Sequence, residues 1–215
     1  MDTSTAPSAV ILRHEYIPPT AAHAAPARDI WAPLVRLICG AVMKLNGWTM
    51  RGPWPGHRRC VLLAAPHTSN WDGFWMLVAA GRYQVRLRWM GKKSLTSGPF
   101  GWFLRAFGCV GVDRSGGNDI VAQMREAFFS EDDLVLGISP EGTRTLNPNW
   151  RKGYYHIAKG ADVPIVVSVL DYGAKTISLA AMVWPSGDYD ADFAFIAKLY
   201  DGVGAKRPEQ FTTGV

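Results

Sequence analysis

The chain has 215 residues, 48% of them hydrophobic, and a formal net charge of +5. That is enough for one domain with a proper core. The basic balance favours anionic partners, but the cations are scattered and there is neither a zinc-finger cysteine pattern nor an aromatic RNP signature, which argues against nucleic acid.

Cys39, Cys60 and Cys109 are odd in number, form no CxxC and sit in apolar stretches, so they read as free thiols in a reducing compartment. The five histidines, His14, His23, His57, His67 and His156, show no metal-ligand spacing, and no metal or other cofactor is expected. Nine tryptophans are many for this length, and Trp is favoured both in cores and at membrane interfaces.

Residues 1–28 are rich in Ala, Pro, Thr and Ser and read as a flexible tail, with a short extended piece at 9–12. No basic start followed by an apolar run marks a signal peptide. In the segment 29–50, apolar residues from Ile30 to Leu45 recur at helical spacing, interrupted by Arg36 and Lys44. The stretch is shorter than the ~20 residues a spanning helix needs. It suits either an amphipathic helix packed on the domain or one lying in a membrane surface with Trp31 as an anchor. Arg51, Arg58 and Arg59 follow, where lipid headgroups would lie.

The remainder, 51–215, reads as a single domain of alternating units. Strand 60–65 leads to helix 73–81, strand 86–91 to helix 98–107, and strand 110–112 to helix 118–129. Strand 134–138 leads to helix 154–159. Strands 163–170 and 175–182 follow, and a last helix spans 191–200. This pattern predicts an α/β fold: a mainly parallel central sheet with helices on both faces and an antiparallel addition near the C-terminus. Ligands in such folds sit beyond the carboxyl ends of the parallel strands. The positions to watch are therefore His67 and Asp72, Lys92 and Lys93, Asp113 and Arg114, and Glu141, Gly142, Thr143 and Arg144.

His67 and Asp72 are five residues apart, an offset that brings side chains together on neither a helix nor a strand. They meet only if the backbone changes type between them. Pro66 ends the strand, and Ser69 to Asp72 supply good N-cap types. A carboxylate beside an imidazole then suits general base catalysis. Taken alone, the pair more often means a plain helix cap and a loop histidine. In Ser139–Arg144, Pro140 fixes one dihedral, Gly142 permits unusual ones, and Arg144 can chelate a phosphate.

The PHTSNWD stretch resembles the H-x-S-x-x-D block of the glycerolipid acyltransferase superfamily, which contains the 1-acylglycerol-3-phosphate acyltransferases. ISPEGTRT resembles its F-P-E-G-T-R-S block, GCVGVDR the block ending in Asp-Arg, and ADVPIVV the block with Val-Pro-Ile. Together they cover about Leu62 to Val169 in the family's order. Pro66 and Ser139 depart from the residues usual at their positions, and the wording is that of a small bacterial branch.

The resemblance implies a glycerol-3-phosphate acyltransferase-like fold and transfer of a fatty acyl group from a thioester, acyl-CoA or acyl carrier protein, to a hydroxyl. The acceptor implied is a lysophospholipid such as 1-acylglycerol-3-phosphate. His67 would be the base and Asp72 its partner, with no acyl-enzyme. Arg114, Glu141, Gly142, Thr143 and Arg144 would bind substrate; Lys92 and Lys93 join them on charge and position. The protein would sit in the cytoplasm, peripherally on the inner face of the membrane. Phe74, Trp75 and Leu77, with Phe100, Trp102, Phe103, Leu104 and Phe107, are candidates for an apolar acyl groove, or else plain core. The alternatives are a non-catalytic lipid-binding protein on a membrane surface and an acyl-thioester hydrolase.

Overall fold

The computed structural model describes residues 12–20, 24–25, 29–112 and 119–214. In chain order its elements are β1 (Arg13–Tyr16), α1 (Ala32–Leu45), β2 (Thr49–Arg51), β3 (Arg59–Ala65), α2 (Asn70–Tyr83) and β4 (Leu87–Lys92). Then come α3 (Lys93–Ser97), α4 (Gly101–Ala106), β5 (Cys109–Val112), α5 (Ile120–Ser130), β6 (Leu134–Ile138) and α6 (Gly153–Ala161). The last are β7 (Ile165–Asp171), β8 (Thr176–Trp184) and α7 (Tyr189–Lys198).

The eight strands form one sheet in the order β1-β8-β7-β3-β6-β4-β5, with β2 also pairing with β8. The run from β7 to β5 is parallel, and β8 is antiparallel to β7. Strand β3 is central and covered on both sides, as a parallel strand must be. Alternation sends Val61, Leu63 and Ala65 into one core with Phe128 of α5, Ile157 of α6 and Ile196 of α7. Cys60 and Leu62 point the other way, against Ala80 and Tyr83 of α2. Helix α1 lies outside α2, burying Met43 beside Trp48 and Trp75.

A bulge shapes that second face. Val167 pairs with Ala181 but Ser168 pairs with Leu179, so β8 carries one extra residue, Ala180. The inserted residue shifts the alternation. Val183 belongs to the core under α5–α7, while Leu179 and Ile177, of the same parity, face α2.

Three expectations need correction. Residues 13–16 are not a flexible tail: β1 pairs antiparallel with β8, covering a strand edge that would otherwise be open. Its anchor is remote, since His14 meets Asp192, and composition carries no trace of that contact. Of the piece expected at 9–12, residues 9–11 lie outside the described residues, and Leu12 precedes the strand. The domain does not begin at residue 51 either, because β1 and β2 belong to its sheet. The helix expected over 98–107 is the shorter α4, Gly101–Ala106, and an unexpected short helix, α3, precedes it, the two parted by Gly98 and Pro99, a pair that breaks helices. Asn118, where the next helix was expected to begin, lies outside the described residues; Asp119 caps α5.

Phe128 and Phe129 are neighbours with opposite fates, 0% and 62% exposed. Phe128→Ala should cost ~3–5 kcal/mol in urea unfolding, and Phe129→Ala no more than ~0.5 kcal/mol.

Candidate active site

Three adjacent parallel strands, β6, β3 and β7, deliver the site at their carboxyl ends. His67 follows β3, Glu141 follows β6 and Tyr172 follows β7. Between His67 and Asp72 the backbone changes type as required. Ser69 is extended, with φ −150° and ψ 168°, and α2 starts at Asn70, which puts Asp72 in its first turn.

Asp72 is buried, and donors surround it. Oδ2 accepts from the backbone N–H groups of Thr68 and Ser69, each at 2.6 Å. Oδ1 accepts from the Ser69 hydroxyl at 2.9 Å and the Tyr172 hydroxyl at 2.7 Å. Those four bonds fill the lone-pair sites of a carboxylate, which also sits at the positive end of α2. His67 Nδ1 lies 3.8 Å from Oδ2, an electrostatic neighbour rather than a fifth hydrogen bond. Burial lowers the His67 pKa, Asp72 pulls it back up and the Arg144 guanidinium lowers it. The ring is therefore neutral, and able to take a proton, at physiological pH.

Glu141 ties the second strand end to the first. Its Oε1 accepts from the His67 backbone N–H at 2.7 Å, while Oε2 is buried with no hydrogen-bond partner among the described residues. Burial, with the nearby Asp72 charge, pushes its pKa up to about 7 against the backbone hydrogen bonds that favour the anion. The loop around it is internally braced. Gly142 takes a positive φ of 65° and its N–H donates to the Ser139 carbonyl. Asn147 Nδ2 donates to the Glu141 carbonyl at 2.8 Å. Thr143 and Thr145 share a hydroxyl contact at 3.0 Å. Arg144 is exposed and donates to Asn70 Oδ1, so its guanidinium stands beside the start of α2.

The structure thus brings together His67, Asp72, Glu141, Gly142, Thr143 and Arg144. Lys92 and Lys93 lie at the carboxyl end of β4, two strands from β3. Asp113 and Arg114 lie outside the described residues. Among the described residues no three His, Cys, Asp or Glu side chains converge as metal ligands.

Sequence reasoning missed two contributors. Tyr172 was findable: it follows a parallel strand next to β3 and only needed the strand-end rule applied to β7. The C-terminal segment was not findable from local pattern. It returns to the site, where the Arg207 N–H donates to Thr68 Oγ1 at 3.2 Å. The Gln210 amide, oriented to donate, reaches the carbonyls of Thr68 and Arg144.

An apolar pocket lies between α2 and the sheet, with His67, Asp72 and Gly73 among its lining residues. The α2 residues that line it include Gly73, Met76, Ala80 and Tyr83, at offsets of three, four and three, hence one helix face. Leu62, Leu170, Ile177 and Leu179 form the sheet side. None of Phe74, Trp75, Leu77, Phe100, Trp102, Phe103, Leu104 and Phe107 lines this pocket. Trp75 is buried on Trp48, while Phe100, Trp102, Phe103 and Phe107 of the α4 region are exposed. A groove needs missing volume, which Gly73, Ala79 and Ala80 provide and bulky rings fill.

Glu141 gives the fold a pH signature. Its folded pKa is raised, so its stabilising contribution is complete below the ordinary value of 4.5 and is lost as pH rises to about 7. His67, with a lowered pKa, acts with the opposite sign. Urea unfolding from pH 5 to 8 should show Glu141→Gln gaining stability relative to the wild-type protein up to about pH 7, then a constant difference.

Residues 53–170 match the family described as Acyltransferase. No curated protein matches the chain in sequence. Among solved structures, the 1-acyl-sn-glycerophosphate (LPA) acyltransferase PlsC of Thermotoga maritima has a similar fold. Its TM-score is 0.56 at 15% identity, over 81% of this chain and 80% of that one. The family match spans more than half of the chain and contains the His67, Asp72 and Glu141 geometry described above, so the protein belongs to the acyltransferase family and is an enzyme of acyl transfer.

Proposed function

We propose that the enzyme moves a fatty acyl group from a thioester, acyl-CoA or acyl carrier protein, to the hydroxyl of a lysophospholipid such as 1-acylglycerol-3-phosphate. One observation carries this reading: a neutral His67 beside the hydrogen-bonded Asp72, both lining an apolar pocket. A base alone suits many reactions. A base opening onto a slot lined by Gly73, Met76, Ala80 and Leu179 suits the attack of a hydroxyl on a lipid acyl group.

In the proposed step the acceptor hydroxyl oxygen bonds to the thioester carbonyl carbon while its proton passes to His67. Nε2 is the receiving nitrogen, because Nδ1 faces Asp72. Asp72 stabilises the imidazolium. The tetrahedral intermediate then expels the thiolate, which takes the proton from His67. No covalent acyl-enzyme forms. The oxyanion would be met by an amide of the Glu141 loop; Gly142 N–H is already turned to Ser139, leaving Thr143 as the candidate. Arg144, exposed beside the start of α2, would hold a phosphate. Arg114, Lys92 and Lys93 would add positive charge around the same carboxyl edge.

The membrane is the source of such an acceptor, and α1 suits contact with it. Among the described residues no helix is long and apolar enough to cross a membrane. Yet Ile30, Trp31, Leu34, Leu37 and Ile38 are all exposed, with Arg36 and Lys44 on the same helix. We propose that this face lies in the lipid interface, as an apolar helix face with flanking cations does. The protein would then act at the cytoplasmic side of the membrane.

The central test supplies palmitoyl-CoA and 1-acylglycerol-3-phosphate and follows the diacyl product by mass spectrometry. His67→Ala should lower turnover ~10²–10⁴-fold with an unchanged unfolding temperature. Arg144→Ala should raise the acceptor KM more than it lowers kcat. Near-normal turnover by folded His67→Ala would remove the mechanism. Separately, Trp31→Ser with Leu37→Ser should abolish co-sedimentation with anionic vesicles; full retention by the double variant would exclude α1 as the anchor.

A further inference from the structure

Helices α1 and α2 meet at a glycine. At Gly81 a Cβ would lie 2.6 Å from Cys39 Sγ, so the two backbones approach closely there. The next residue, Arg82, is thereby laid across α1 at Gly40. A Cβ on Gly40 would stand 3.4 Å from Arg82 Nε and 3.8 Å from its Cζ. Gly40 is one turn from Arg36 and one turn from Lys44, on the same stripe of α1. Cations from two helices therefore line one cleft, with a volume of about 910 Å³. Pro33, Leu37 and Met50 give it an apolar wall.

No carboxylate lines this cleft. Between residues 30 and 112 the one acidic residue is Asp72, whose oxygens are already filled in the active site. Asp29, at the start of α1, pairs with Arg86 at 3.2 Å. Among the described residues, none of Arg36, Lys44 and Arg82 has a carboxylate within ion-pair distance. Like charges gathered without a counter-charge repel one another, and an anion from outside relieves that repulsion. The cleft is separate from the active site. Arg82 stands ten residues beyond Asp72 on α2, about 15 Å along the axis at ~1.5 Å per residue. Arg144 lies at the other end of that helix, beside Asn70.

We propose that this cleft is a second phosphate site, which binds the headgroup of an anionic phospholipid away from the place of acyl transfer. Arg36 and Arg82, both half-buried, take the phosphate oxygens, and Lys44, exposed at the rim, adds to the field. A zwitterionic headgroup is the poorer guest, because the cleft offers no carboxylate to its ammonium. Leu37 points to a membrane lipid rather than a soluble phosphate as the source. It lines the cleft and also belongs to the exposed apolar face of α1, so acyl chains leaving the headgroup continue along that face. This rests on the reading of α1 as an interfacial helix. The amount of anionic lipid in the membrane then sets how much enzyme is bound there.

The test titrates the full-length protein calorimetrically with monomeric dihexanoylphosphatidylglycerol, with dihexanoylphosphatidylcholine and, as a soluble phosphate, with sn-glycerol 3-phosphate. The phosphatidylglycerol should bind most tightly. Arg82→Gln should weaken it about fivefold, the equivalent of ~1 kcal/mol per Lys or Arg near an anionic headgroup. Gly40→Leu should weaken it by at least the same factor. That variant changes no charge, but its side chain must displace Arg82 and fill the cleft. Arg58→Gln, an exposed cation outside the cleft, and Arg144→Ala should leave the titration unchanged. If Gly40→Leu is poorly folded by circular dichroism, Arg82→Gln against Arg58→Gln decides alone. Unchanged affinity in Arg82→Gln or in folded Gly40→Leu would overturn the site. Equal affinity for the phosphatidylcholine would overturn its choice of anionic headgroups, and equal affinity for glycerol phosphate would overturn the lipid as its source. Trp31→Ser with Ile38→Ser, neither of which lines the cleft, should lose co-sedimentation with phosphatidylglycerol vesicles yet keep the titration. Retained co-sedimentation by that double variant would overturn the interfacial reading of α1 and leave the cleft standing.

Discussion

A carboxylate buried at the start of a helix is the constraint on which this site rests. Removing Asp72 from water is unfavourable unless its charge is fully hydrogen-bonded, and the fold supplies the bonds from three places. Two are the backbone amides of Thr68 and Ser69, one is the Ser69 hydroxyl, and one is Tyr172, a hundred residues further on. The same amides are helix-entry donors that would otherwise be orphaned. Asp72 thus closes the turn after β3 and serves His67 with one group. Any change that disturbs the turn also disturbs His67, so folding and the proposed chemistry are coupled at this residue.

The second organising feature is the division of α2 into a filled face and an empty one. Trp75 and Phe74 are in edge contact, and Trp75 packs on Trp48 toward α1. Gly73, Ala79 and Ala80 face the sheet and leave the slot that the pocket occupies. Across the slot, the bulge at Ala180 turns Leu179 and Ile177 into its wall. Without the extra residue, the alternation of β8 would carry both side chains to the core under α5–α7. The pocket is therefore a product of small residues on one element and a register shift on another.

This explains which features were legible in the sequence. The parallel strands and their order of appearance follow from apolar runs punctuated by turns, and β6 coincides with the run 134–138. The meeting of His67 and Asp72 follows from five residues that must span a strand and a helix start. These signals are local. The contributions from outside the local window were silent: His14 finds Asp192, 178 residues away, and Arg207 finds Thr68, 139 residues away. The aromatic candidates do not line this pocket because reasoning from residue types looks for what is present. A slot is made by what is absent, and only the register of α2 against β8 reveals it.

The electrostatics of His67 follow from the same packing. Three influences act on His67: burial and Arg144 weaken its hold on a proton, and Asp72 strengthens it. Arg144 is the exposed member of the three, reaching from its loop to Asn70. In the proposed reaction an acceptor phosphate would sit on that guanidinium and neutralise its field, leaving Asp72 less opposed. His67 would then bind a proton more readily when the hydroxyl that must surrender one has arrived. Buried Glu141 holds the arrangement together, because its carboxylate takes the His67 backbone N–H while its own loop carries Arg144. The Glu141 loop and the turn that carries His67 are fastened to one another by this 2.7 Å hydrogen bond and by the bond from Arg144 to Asn70, and a shift in either must be felt by both.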